Sequence, residues 1–237
     1  MQFNVVSQEK TNPELVSKIV ENTKDLEVVK DSVGEFYNPK TYGLRFGIDI
    51  IKPILTYSWD GKFKGGEIVA DYRINTRLFI AAEAGYADRA LEEDTFNNTV
   101  KGSYLKAGIN YNLYTNWLDM DNELYLGARY GFASFTNELN NYTIFQEGEY
   151  FEAKEVTSSN KYNGLNAHWV EFVAGIKVEV LKNFYLGFMV NINKIITSKE
   201  ADNLENNYSP GFGKITKTGT GANINYTLTY RIPLYKK

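Results

Sequence analysis

From Tyr42 onward, apolar and polar residues alternate with period two, the pattern of strands whose faces meet different surroundings. Eight such runs follow one another: 42–50, 67–74, 78–86, 104–113, 124–132, 169–178, 186–193 and 222–234. The last is the most regular, with Ala222, Ile224, Tyr226, Leu228, Tyr230, Ile232 and Leu234 in one phase and Asn223, Asn225, Thr227, Thr229 and Arg231 in the other. Eight amphipathic strands in sequence predict an all-β chain, an eight-stranded antiparallel up-and-down barrel over 42–237 that leaves no open sheet edge.

Which face turns inward separates two kinds of barrel. A soluble, lipocalin-like carrier puts the apolar phase inside, whereas a transmembrane barrel puts it against lipid. Three features select the membrane. Connections alternate between short (Asn75-Thr76, 115–121, 181–183) and long (51–66, 87–100, 137–166, 197–219), as short turns and long outer loops do. The polar phase is rich in glycine, which suits a crowded lumen. Aromatics recur near strand ends in the apolar phase, at Tyr42, Tyr86, Tyr111, Phe132, Phe184 and Tyr230, where interfacial girdles lie.

With that orientation, Arg45, Asp49, Glu67, Asp71, Arg73, Glu83, Lys106, Arg129, Glu171, Lys177, Glu179 and Arg231 all point into the lumen. Buried charges must pair, so their mixed signs predict a cross-strand charge ladder that fills the barrel, a plug and not a channel. Residues 1–41 stand apart. A helix start at Asn12-Pro13-Glu14 and a short apolar stripe of Leu15, Val16, Ile19 and Val20 predict an N-terminal periplasmic extension that is a disordered leader or docks on a neighbour.

Composition narrows the chemistry. The 237 residues carry a formal net charge of −3, with no cysteine and a single histidine. Disulfides are excluded, a zinc site lacks ligands, and a nucleic-acid partner lacks its basic stripe. No cofactor is expected. No apolar run is long enough for a membrane-spanning helix, a test that strands escape. His168 falls in the apolar phase with Ser134 and Glu138 at the matching end of the preceding strand. That set is what a lipid hydrolase using His168 would need, but His168-Trp169 reads more simply as an interfacial anchor, and no enzyme is expected. The connection 137–166 carries Tyr142, Phe145, Tyr150 and Phe151, candidate contacts with a partner protein or else a cap on the barrel.

The chain from about Tyr42 to its end resembles an uncharacterised family of small outer-membrane β-barrel proteins of Bacteroidota, carried as a domain of unknown function. The likeness rests on 42–49 (YGLRFGID) with Lys52-Pro53, on Lys101-Gly102-Ser103-Tyr104, on 163–172 (NGLNAHWVEF), on Ser209-Pro210-Gly211-Phe212 and on the ending 231–237 (RIPLYKK). The two lysines after Tyr235 depart from outer-membrane proteins at large, which usually end on an aromatic. The resemblance implies a Gram-negative outer membrane and no known activity. The expectation is therefore a lumen-filled outer-membrane barrel, touching outer-membrane lipids and other outer-membrane or periplasmic proteins as an accessory or structural subunit.

Overall fold

In the computed structural model, residues 41–58, 62–92, 96–114, 121–144, 154–200 and 206–236 are described. Strands β1 (Thr41–Asp49), β2 (Phe63–Arg73), β3 (Leu78–Glu92), β4 (Phe96–Asn112), β5 (Glu123–Ile144), β6 (Lys154–Leu181), β7 (Phe184–Lys199) and β10 (Thr220–Lys236) form a closed antiparallel barrel. Each strand pairs with its sequence neighbours, and β1 closes the ring on β10 from Thr41↔Lys236 to Asp49↔Thr227. Helix α1 (Ile51–Ser58) and a two-stranded hairpin, β8 (Tyr208–Ser209) with β9 (Gly213–Lys214), sit in the connections at one rim. The N-terminal extension assigned to 1–41 lies outside the described residues except for Thr41.

Side chains settle the orientation of the faces. Leu44, Phe46, Ile80, Leu105, Ile109, Tyr130, Phe172, Ile176 and Ile192 are exposed, while Arg45, Glu67, Glu83, Lys106, Arg129 and Glu171 are buried. An apolar exterior around a charged interior is the inverse of a soluble carrier, and it is the arrangement of a transmembrane β-barrel. The lipocalin-like alternative is thereby overturned. On β6 the apolar wall runs from Val170 to Val180, roughly 33 Å along the strand and about 25 Å of height once tilted.

Two of the long connections are mostly strand. β3 and β4 pair as far as Glu92↔Asn97, and β5 and β6 as far as Ile144↔Lys154. The other two, 50–62 and 200–219, remain long, so this rim differs from its opposite both in loop length and in the height of the wall, which is greatest at β5 and β6. Above the apolar belt the pattern inverts. Val100, Ala133, Phe135 and Leu165 turn inward and are buried, while Ser103 and Ser134 face out and are exposed. They enclose an apolar cap completed by Trp169, Tyr208 and Phe212. One girdle aromatic also moves: Tyr42 is buried, its ring stacked on Tyr235 at 5.0 Å beside a β-bulge.

The opposite rim is held by short turns. Asn75 Oδ1 accepts the N–H groups of Arg77 and Leu78 at 2.9 and 2.8 Å, an Asx turn between β2 and β3. Between β6 and β7, Asn183 takes the left-handed φ of 68° that Asn tolerates best after glycine.

Glycines of the polar phase face aromatics directly across the strand pairs Gly85↔Tyr104, Tyr125↔Gly175 and Gly131↔Trp169. A Cβ on Gly131 would lie 2.1 Å from the Trp169 ring, which is itself fully buried. Gly131→Ala should accordingly cost about 1–3 kcal/mol through overpacking. A lowered urea midpoint of tryptophan emission in detergent would register it, and an unchanged midpoint would contradict the packing.

Candidate functional site

Inward-facing charges meet in two clusters. Near the rim of short turns, Arg45 Nε donates to Asp71 Oδ1 at 2.5 Å, and its two terminal nitrogens grip Glu123 at 2.6 and 3.0 Å. Lys177 binds the second oxygen of Asp71 from the far wall. Arg73 reaches Glu123 at 3.6 Å and Asp121 at 3.4 Å. Arg231 pairs with Asp121 and, at 3.5 Å, with Glu179. Rings separate the cations, with Arg45 lying 4.6 Å over Phe79 and 5.2 Å over Tyr185.

The second cluster lies toward the capped rim. Lys106 binds Glu83 and comes within 3.3 Å of Glu67 and 3.8 Å of Glu171. Arg129 Nε donates to Glu83 at 2.7 Å, and Lys52 of α1 bridges Asp49 at 3.1 Å and Glu67 at 2.8 Å. Neutral groups complete the carboxylates' shells. Trp169 Nε1 donates to Glu171, Tyr104 Oη to Glu67, and Asn225 to both Asp49 and Glu67. Between the clusters lies an apolar layer of Tyr125, Val173 and Met189.

Eleven of the twelve lumen charges read from the sequence are buried, and Glu179 is half-buried at the rim. Their connectivity is not a simple ladder. Arg129 sits opposite Glu171 in register yet binds Glu83, and Lys177 sits opposite Glu123 yet binds Asp71. Rungs are thus cross-linked through the lumen. The sequence reading missed Asp121 and Glu123, which simply extend the alternation of β5 by a turn of the pattern. It also missed Lys52, which no strand period could reveal because it sits on a helix.

Among the described residues, side chains fill most of the lumen. A cavity of about 110 Å³ lies between α1 and the β8–β9 hairpin and is lined by Lys52, Leu55, Phe63, Tyr104, Tyr208 and Asn225 among others. A second void of about 20 Å³ beside Asp71, Tyr125 and Lys177 has room for about one water. The hairpin stoppers the mouth. Phe212 is fully buried edge-on to Trp169, at 5.9 Å, and its carbonyl accepts from Asn193 and Asn223 at 3.1 and 2.7 Å. Gly211 at the hairpin tip, with φ +77°, lets the backbone lie on the Tyr104 ring, which a Cβ would approach to 2.5 Å. Burial of Tyr208 in this cap raises its phenol pKa, partly offset by the Arg89 guanidinium over its ring.

His168 turns outward at the top of the apolar belt. Its Nδ1 lies 2.7 Å from Tyr130 Oη, and its ring packs 4.8 Å from Phe132. Ser134 sits opposite Asn166 and Glu138 opposite Lys161, seven residues along β6 from His168. Among the described residues no hydrogen bond or ion pair joins the three. Trp169 is not at the interface with its neighbour but inside the lumen. Of the proposed partner contacts, Tyr142 is half-buried on β5, paired with Phe96 and Val156, and Phe145, Tyr150 and Phe151 lie outside the described residues.

Residues 2–237 match the family model described as a domain of unknown function (DUF6048), and the chain belongs to that family. No curated protein matches the sequence. Similar solved structures include Ail, the attachment invasion locus protein of Yersinia pestis, at 12% identity and a TM-score of 0.40 over 81% of this chain and 97% of that one. The same protein with the heparin analogue sucrose octasulfate gives 14%, 0.36, 81% and 97%. CarO2 of Acinetobacter baumannii gives 11% and 0.37 over 82% of this chain and 99% of that one.

Proposed function

We propose that this family member is an integral outer-membrane barrel of a Gram-negative, Bacteroidota-type envelope that does no chemistry and serves as an accessory or structural subunit of a larger assembly. The observation carrying this reading is the filled lumen inside an apolar wall. Side chains occupy most of the interior from Arg231 at one rim to Phe212 at the other, which leaves little room for solute passage, the space that remains being the cavity of about 110 Å³ between α1 and the hairpin, and an eight-stranded barrel offers little to begin with. His168 is engaged by two aromatic rings, which supports an anchoring role over a catalytic one. What remains for function is the lipid-facing wall and the two rims, hence contact with outer-membrane lipids and with outer-membrane or periplasmic proteins.

The raised β5–β6 hairpin, which bears Tyr142, is the part of the wall that stands farthest above the belt. Aromatic anchors dominate protein contacts, each worth about 2 kcal/mol or more when central. Protein extracted in mild detergent should therefore co-purify with a second subunit, and replacing Tyr142, Phe145 and Phe151 together by serine should release it while the barrel keeps its heat-modifiable gel mobility. A lone barrel at every salt concentration would overturn the subunit reading.

A further inference from the structure

At the top of the belt, on the side formed by β5, β6, β7 and β10, hydrogen-bond donors line the outward face. Tyr130 and His168 stand there on β5 and β6. In the tautomer in which the Tyr130 hydroxyl donates to Nδ1, the imidazole carries its proton on Nε2 and keeps an N–H to donate. Register places Lys194 of β7 opposite Val170 of β6 and Thr220 of β10, so it is a near neighbour of His168 on the same face. Lys194 Nζ donates to Thr218 O at 2.5 Å. Beside it the turn 216–220 gathers three hydroxyls, with Thr216, Thr218 and Thr220 Oγ1 atoms 2.8–2.9 Å from one another. Lys199 and Lys217 are exposed close by in the chain, as is Glu200, while Lys161 on this side sits opposite Glu138. Directly below come Val170, Ile192 and Ile224, all exposed and apolar.

Ammonium, imidazole N–H and hydroxyl groups set immediately over an apolar wall match one kind of molecule, an acyl chain continuous with an anionic headgroup. A phosphate suits the set best, because it offers several acceptor oxygens to the Lys194 ammonium and to threonine hydroxyls that can exchange a mutual hydrogen bond for one to an anion. We propose that this sector holds the phosphorylated headgroup of an outer-leaflet lipid, its acyl chains on Val170, Ile192 and Ile224 and its phosphate between Lys194, His168 and the threonine turn. The assignment rests on the membrane reading above, with the rim bearing α1 and the β8–β9 hairpin turned outward.

The test is native mass spectrometry of the full chain in detergent with lipid A and with the same lipid stripped of its phosphates, at equal concentration. The chain should retain the phosphorylated form about tenfold better. Combined Lys194→Gln, Lys199→Gln and Lys217→Gln should bring that ratio close to unity with heat-modifiable mobility unchanged. Lys101→Gln, on β4 beside Asp88, should leave the ratio alone. Excess inorganic phosphate should not displace the lipid, since the acyl contact is part of the site. Equal retention of both lipids, a triple variant that keeps the preference, an equal loss in Lys101→Gln, or displacement by inorganic phosphate would each overturn the assignment. A chain that stays monodisperse without detergent would overturn the membrane reading itself, whereas a detergent-dependent chain indifferent to the phosphates sinks only this site.

Discussion

Arginine in place of Ile176 is expected to keep the barrel out of the bilayer. Ile176 stands near mid-height on β6, exposed, with Leu124 of β5 and Phe188 of β7 opposite it and likewise exposed. A guanidinium there must be stripped of water or must reach past two turns of apolar side chain to regain it. The cost at the midplane of such a barrel is about 2–4 kcal/mol, against near zero close to the interfaces. Assembly into vesicles, read as the heat-modifiable fraction on a gel, should fall several-fold for Ile176→Arg and for Ala128→Arg on the neighbouring strand. Arg at Ser134, above the belt and already exposed to water, should assemble normally. Insertion of Ile176→Arg at the unsubstituted level would mean that the exposed apolar wall does not face lipid.

Lys106→Met carries the second large expected effect. Lys106 is among the largest fully buried side chains, and three carboxylates, Glu67, Glu83 and Glu171, are grouped around its ammonium. Methionine fills nearly the same volume, so the change removes charge and leaves packing almost intact. Four acids of the upper cluster, with Asp49, would then face only Lys52 and Arg129. Removing one partner of a buried ion network typically costs about 3–5 kcal/mol, because the charge left behind stays desolvated. The urea midpoint in detergent should drop accordingly, and adding Glu67→Gln should restore part of it by lowering the acids from four to three. A Lys106→Met barrel as stable as its parent would show that the cluster contributes nothing to holding the walls together.

The barrel was legible in the sequence because within the membrane its two faces differ as sharply as faces can. Leu105 beside Lys106 and Phe172 beside Glu171 leave no doubt about phase once one face is known to be buried. The tops of β3 to β6 were illegible for a physical reason. Above the belt the exterior meets water and the interior an apolar cap, so Phe135 and Leu165 lie in the phase that holds Arg129 and Glu171 lower down. A pattern that changes sign in mid-strand reads as a loop. The charges inside were legible one by one, but their partners were not, since Arg45 to Glu123 joins strands that share no register. Helix α1 and the β8–β9 stopper left no periodic trace, being too short for one.

The seam where β1 meets β10 has a consequence for the order of assembly. Arg45 and Asp49 on the first strand find carboxylate and amide partners on β2, β5 and β10, and Asn225 of the last strand reaches back to Asp49 and Glu67. Until the first and last strands meet, these groups have neither water nor a full set of partners once the wall is in lipid. An open, partly inserted sheet is therefore a high-energy species, and every strand depends on the last one. Such a barrel should insert and unfold in a single concerted step, with few stable intermediates, and its slow event should be the search of residues 220–236 for residues 41–49 across most of the chain's length.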